Sequence, residues 1–336
     1  MAAILLRSPY YETHSQPYVS PNVAKSATLT LSVDGTQISS MSKDTVLSGT
    51  AGQETGTVAF EIADLCRDYI DIQFDNNYTS QTIAITGTLT FKSETVDDIN
   101  TGSTPTQVGN AVSISHTGLD GYYEFMEGLG VAAPNSAKTV ATNDVLQDNI
   151  QLYYPDNTAG VIPYWDGTAI VYDTFSASAI AHTTISTAFT INRVCNKHTA
   201  YKVTFVNKYG ALQDFYFNGR TTENINVSKT TFKRNIADSS FKYDKQKHSI
   251  RQFNALANET IILNTPPMSY DNVNEAIKQL LVSEQVWIRK TEGGSEQTVP
   301  INITDTQQTF KTGVNDKVVQ YTITAEYAFD MISNIR

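Results

Sequence analysis

The sequence predicts a mainly β protein: two β-sandwich or barrel domains, each with one short helix, joined by a loop-rich β middle region. Three observations carry this. Period-2 alternation of apolar and polar residues recurs at Ala27–Val33, at Tyr201, Val203 and Phe205, at Val299, Ile301 and Ile303, and at Val319, Tyr321, Ile323 and Ala325, which marks strands with one buried face. Only two stretches carry a helical stripe: Ile62, Leu65, Cys66 and Tyr69, and Val273, Ile277, Leu280 and Leu281. Charged residues are only 17% of the 336, while Tyr and Phe number 18 and 14. That composition argues against disorder and suits a protein offering large, mostly uncharged surfaces to neighbours.

The longest aromatic and β-branched run is Tyr201–Phe217, YKVTFVNKYGALQDFYF. It reads as a hairpin, with Asn207-Lys208-Tyr209-Gly210 as the turn and Gly210 supplying a positive φ. A first domain is expected over 1–190. Its strand Ala27–Val33 ends at the turn signal Asp34-Gly35. Glu61–Ile70 is its helix, and Gln81–Lys92 is a further strand with a bulge expected at Gly87. Residues 96–190 read as a loop-rich insertion, with islands of order at Ala111–Ser115, Tyr122–Phe125, Ile150–Tyr154 and Ala169–Tyr172. A second domain is expected over 191–336. Phe232–Phe241 is a basic connection there, Thr260–Leu263 a buried strand, and Asp271 can cap a helix over about 271–284. Val286-Trp287-Ile288 then resumes β structure, with Trp287 expected in the core, and Gly293-Gly294 turns the chain.

Net charge is −10 and unevenly placed: 6 basic against 20 acidic residues in 1–192, 12 against 4 in 193–251, and 6 against 10 in the remainder. The basic stretch therefore invites an acidic partner, including the acidic half of another copy. Cys66 and Cys195 fall in different expected domains, so two buried free thiols are expected rather than a disulfide. The opening MAAILLRSPYY lacks the charge and apolar run of a signal peptide, and no stretch approaches a membrane span. The sequons at Asn77, Asn226, Asn258 and Asn302 read as accidents of a Thr- and Asn-rich chain.

Two regions carry a resemblance. One is RSPYY at Arg7–Tyr11 with FEIADLCRDYI at Phe60–Ile70. The other is KVTFVNKYGALQDFYF at Lys202–Phe217, followed by the Leu263–Ile288 segment and NDKVVQYTITAEYAF at Asn315–Phe329. Together they resemble virion structural proteins of tailed bacteriophages of the kind that infect Bacteroidetes. The C-terminal pattern is similar to tail-tube and distal-tail (baseplate) domains. The resemblance implies a homo-oligomeric ring, often of six subunits, stacked coaxially with other virion tail or connector proteins. It implies assembly in the host cytoplasm and no catalytic residue, cofactor or metal.

Chemical motifs are sparse. Asp64, Asp68, Asp71 and Asp75 are closely spaced but do not match a calcium loop. Glu124 with Glu127, or Asp166 with Asp173, could face across a glycosidase cleft, yet no motif selects either pair. His14, His116, His182, His198 and His248 sit in no nucleophile context, and Cys195 and His198 would point to opposite faces of a strand. Gly128-Leu129-Gly130 is not a nucleotide loop. Lys229–Arg251 mixes cations with Phe232, Phe241 and Tyr243, a pattern that can hold single strands. In so acidic a chain it reads instead as a protein-docking strip, with Lys233, Arg234, Lys242, Lys245 and Lys247 as the expected inter-subunit contact and no specific nucleic-acid or membrane binding. The expectation is a non-enzymatic virion protein of the tail or head-to-tail region. The alternatives are a receptor- or glycan-binding tail module and a secreted adhesin-like bacterial β protein.

Overall fold

The computed structural model describes residues 2–124, 139–195, 197–237, 239–240, 242–243, 245–268, 273–292, 295–305, 307–310 and 319–330. The chain is mainly β, with strands in several sheets and three helices among the described residues. It divides into two compact units: residues 1–152, 158–191 and 205–213, and residues 153–157, 192–204 and 214–336.

The first unit opens with β1 (Ala2–Leu5), β2 (Tyr11–Pro17), β3 (Ser26–Val33), β4 (Thr36–Asp44), β5 (Val46–Ser48) and β6 (Thr55–Glu61). Next come α1 (Ala63–Arg67), β7 (Ile83–Lys92), α2 (Val96–Asn100), β8 (Val112–Leu119) and β9 (Thr139–Val140). Six strands form a sheet in the order β4-β3-β7-β8-β1-β9, and β2-β6-β5 form a second. The β3–β4 turn is Asp34-Gly35, both at positive φ, as the sequence predicts. Alternate β3 residues Ala27, Leu29, Leu31 and Val33 enter one core with Leu89 and Phe91 of β7, Val58 and Phe60 of β6, and Ile62 and Cys66 beside α1. The two sheets are thus layers of one sandwich. β1 is buried on both faces. Ile4 and Leu6 join that core, while Ala3 and Leu5 enter a second one with Leu119, Trp165, Ile170 and Ala211.

Several expectations need correction here. Gly87 is not a bulge. It stays in register with Leu31, and the only irregularity along β3 lies between Leu31 and Ser32 in its pairing with β4. Glycine is required at Gly87 by close approach, because a Cβ there would lie 2.9 Å from the Thr30 carbonyl oxygen. The stripe on α1 is only half buried: Ile62 and Cys66 are buried, Leu65 and Tyr69 exposed. The helix lasts five residues, and the next bonds, from Tyr69 N to Cys66 O and Ile70 N to Arg67 O, span three residues. That tighter winding turns Tyr69 off the stripe. The unit also has a second helix. α2 has no buried residue and so no stripe, but Thr95 and Asp98 form a reciprocal capping box.

Residues expected as an insertion supply β8, an interior strand of the six-stranded sheet. They also supply β10 (Gln151–Pro155), β11 (Gly160–Trp165), β12 (Ile170–Phe175), β13 (Ala181–Thr184) and the start of β14 (Thr187–Val194). β10-β14-β13 and β11-β12 form small sheets. Of the island Tyr122–Phe125, residues 122–124 form no strand and Phe125 lies outside the described residues.

The remaining elements are β15 (Tyr201–Val206), β16 (Leu212–Phe217), β17 (Thr222–Lys233), β18 (Ile250–Asn264), α3 (Val273–Val282), β19 (Val286–Glu292), β20 (Ser295–Ile303) and β21 (Thr322–Tyr327). The strands form one sheet in the order β16-β15-β19-β20-β21-β18-β17. The predicted hairpin is β15–β16. Its tip, residues 205–213, belongs to the first unit, and its base to the second. Gly210 has φ 78°, and a Cβ on it would lie 2.7 Å from the Asp120 backbone nitrogen. Alternation understated its burial, since every residue from Lys202 to Val206 and from Leu212 to Phe217 is buried. Lys202 is tolerated because its Nζ lies 3.1 Å from Asp214 Oδ2, while Thr204 donates to Asp214 Oδ1 at 2.7 Å. In the second unit Ile261, Leu263, Ile277, Leu280, Ile288, Ile323 and Ala325 are fully buried and Trp287 is 9% exposed. On α3, Val273, Ala276, Ile277 and Leu280 are buried. The proposed cap Asp271 and the Gly293-Gly294 turn lie outside the described residues.

Candidate functional site

β17 and β18 build the most exposed element of the second unit. They pair antiparallel from Thr222 opposite Ile262 to Lys233 opposite Ile250. β21 supports β18 only over Thr260–Asn264, so the rest of the pair is a two-stranded ribbon. All twelve residues of β17 are exposed. Ile225, Val227, Phe232, Ile250, Phe253 and Leu256 are exposed apolar side chains along it. Phe232 and Phe253 meet edge to face with ring centroids 5.6 Å apart. A two-stranded ribbon is marginally stable alone in water, and six exposed apolar side chains along it form an apolar surface of the kind that marks interaction sites in proteins generally.

The sequence-predicted contact residues gather at the far end of this ribbon. Lys233 is the last residue of β17. Arg234 follows, its N–H donating to Ser249 O at 2.8 Å, and Lys242, Lys245 and Lys247 sit on the connection between the strands. All five are exposed. The connection expected over Phe232–Phe241 is therefore strand up to Lys233, and Phe241 lies outside the described residues. At the ribbon's root, a groove of about 540 Å³ is lined by Ile225, Val227 and Leu256, with Glu326 and Asp330 also on its wall. Asn258 Nδ2 donates to Glu326 Oε1 there at 2.8 Å.

Not all of the basic stretch is available for docking. Lys202 is buried against Asp214, and Lys208 is buried with its Nζ 2.6 Å from Asp148. The exposed excess lies on the ribbon, where residues 229–251 hold seven Lys or Arg against two Asp. In the first unit Asp64, Asp68, Asp71 and Asp75 are all exposed, with hydrogen bonds to near neighbours in sequence: Gln73 to Asp71, Asn77 to Asp75.

The structure also builds a polar cluster that sequence reasoning missed. Glu12 on β2 is buried, with one carboxylate oxygen 2.6 Å from His14 Nε2 and the other 2.8 Å from His116 Nε2 on β8. Burial alone would raise the Glu12 carboxyl, but the hydrogen bonds from His116 and His14 outweigh it and hold it below the usual carboxylate range. Tyr10 packs against the His116 ring, and burial together with the Glu12 charge pushes its phenol well up. Glu12 and His116 stand 104 residues apart, so only the β2 spacing of Glu12 and His14 was legible beforehand.

The acidic pairs are engaged locally. Asp166 accepts from the backbone N–H groups of Thr168 and Ala169, and Asp173 from His182 and Thr184. Glu127 and Gly128–Gly130 lie outside the described residues. Among the described residues no three His, Cys, Asp or Glu side chains converge to hold a metal ion, and no helix is long and apolar enough to cross a membrane. Cys66 is a buried free thiol, pushed up to about 12 by burial and the Glu61 charge. Cys195, expected buried, is exposed. β14 ends one residue before it, so strand alternation does not separate it from His198, and both line one recess. No family model, curated protein or solved structure matches this chain.

Proposed function

We propose that this protein is a non-enzymatic virion structural component of a tailed phage, of the tail or head-to-tail region, that assembles as a homo-oligomeric ring. The β17–β18 ribbon is its subunit contact. The carrying observation is the ribbon itself: a twelve-residue strand exposed throughout, flanked by apolar side chains and ending in Lys233, Arg234, Lys242, Lys245 and Lys247. The apolar flanks provide association energy on being covered. The cationic end steers the ribbon toward the acidic surface of the next copy, where Asp64, Asp68, Asp71 and Asp75 are exposed. A contact between two different patches repeats head to tail and closes into a ring when the rotation allows. Exposed ion pairs of this kind register subunits more than they add affinity, and they weaken with salt over a Debye length of about 8 Å at 0.15 M.

The test is reversal of the five cations to Glu, with particle mass measured by light scattering at low salt and particle shape by negative-stain microscopy. The expected result is a folded monomer from the variant and a ring from the parent protein. A variant that assembles normally, or a parent protein that touches no copy of itself in its native assembly, refutes the proposal. Ile225→Ser with Phe253→Ser should impair assembly at every salt concentration, since that part of the contact is apolar.

A further inference from the structure

We propose, resting on the ribbon as subunit contact, that the groove at its root is the seat for the far end of another copy's ribbon. The two ends of one ribbon carry opposite halves of such a contact. At the far end Thr230 pairs with Phe253 and Phe232 with Arg251, which places Phe232, Phe253 and Arg251 on one face. Both rings are about half exposed and meet edge to face. Lys233 closes β17 and Arg234 follows it, both exposed, as is Arg251. That end is therefore an aromatic pair beside three cations.

The root offers the complement. Glu326 of β21 stands opposite Thr260, at the limit of β21's support for β18, and Asn258 Nδ2 donates to its Oε1 at 2.8 Å. A neutral amide orients that carboxylate without cancelling its charge. Asp330 adds a second carboxylate, and the exposed side chains of Ile225, Val227 and Leu256 supply apolar walls to the same groove of about 540 Å³, which has room for aromatic side chains. Apolar walls beside carboxylates match aromatic rings beside cations, in apolar character and in charge. A chain cannot fill its own groove. Val227 and Phe232 lie on one strand, about 16 Å apart at roughly 3.3 Å per residue, and pairing with β18 holds that strand extended. The occupant therefore comes from a second copy. Because the end and the groove are different patches, the contact repeats head to tail.

The experiment uses the full chain with Cys195→Ser, which leaves buried Cys66 as its native thiol. Val227→Cys and Phe232→Cys are introduced together. Their separation exceeds the disulfide limit of about 7 Å between Cα atoms, so only two copies can be joined. Mild oxidation should give a ladder of covalent oligomers on denaturing gels, and neither single-cysteine variant should give one. Glu326→Gln with Asp330→Asn should raise the concentration for half-assembly by about tenfold, with Trp287 emission unchanged. Glu326→Lys with Asp330→Lys should block assembly, and adding Lys233→Glu, Arg234→Glu and Arg251→Glu to the same chain should restore it. No ladder from the double variant, a ladder from a single one, or failure of the charge swap overturns the proposal. So do groove variants that assemble like the parent protein: the cations then pair elsewhere, for instance with Asp64, Asp68, Asp71 and Asp75, and the ring stands. A product that stops at the covalent dimer keeps the groove as the seat and refutes the ring. A parent protein that stays monomeric refutes both.

Discussion

Asp214→Ala should be among the most damaging single changes to the second unit. Asp214 is held between Lys202 Nζ at 3.1 Å and Thr204 Oγ1 at 2.7 Å, and the side chains of Lys202 and Asp214 are 9% and 2% exposed. Removing the carboxylate takes the Asp214 counter-charge away from an ammonium with little access to water, which costs about 3–5 kcal/mol. For a urea dependence of roughly 2 kcal/mol per molar, the midpoint falls by about 2 M. The assay is clean because the two tryptophans divide between the units, Trp165 in the first and Trp287 in the second. In a Trp165→Phe background, Trp287 emission follows the second unit alone. Lys202→Met with Thr204→Val and Asp214→Leu should restore the midpoint or exceed it, since a packed apolar trio of similar volume carries no desolvation cost. If Asp214→Ala leaves the midpoint within about 0.3 M, the pair is hydrated in solution and the reasoning fails.

Trp287→Ala should cost about 3–5 kcal/mol, read by the melting of the second unit in circular dichroism; solvent-like Trp287 emission in the native protein would contradict its burial. Gly210→Ala should destabilise the first unit by more than the roughly 1–2 kcal/mol of a left-handed residue, because its Cβ also meets the Asp120 backbone. Trp165 emission in a Trp287→Phe background reports it. The Glu12 carboxyl is lowered on folding, so its contribution to stability is complete above the unfolded value near about 4.3 and is lost as pH falls through the lower folded value. Glu12→Gln should therefore flatten the acid limb of the first unit's stability curve; an unchanged limb would show that the two histidine bonds do not persist in solution.

The sequence by itself determined the mainly β class, the β3–β4 and β15–β16 hairpins with their turn residues, the α3 stripe and the burial of Trp287. Each of these is local, because strand alternation, positive-φ turn chemistry and helical spacing are written within a few residues. Local pattern also isolated Lys233, Arg234, Lys242, Lys245 and Lys247 as a group, since they are close in sequence. Tertiary structure decided what depends on distant partners. Alternation at Tyr201–Val206 suggested one buried face, and only Asp214 explains why Lys202 and Thr204 are buried as well. The interior place of β8, beside β1 more than a hundred residues upstream, follows from a parallel pairing that no local signal encodes. The Glu12–His14–His116 cluster and the groove that Ile225 and Glu326 share likewise join residues whose separation in sequence hides them. The ribbon shows the same division: its cations could be read from composition, but that β17 lies bare at the edge of a seven-stranded sheet is a property of pairing, which no residue of β17 carries alone.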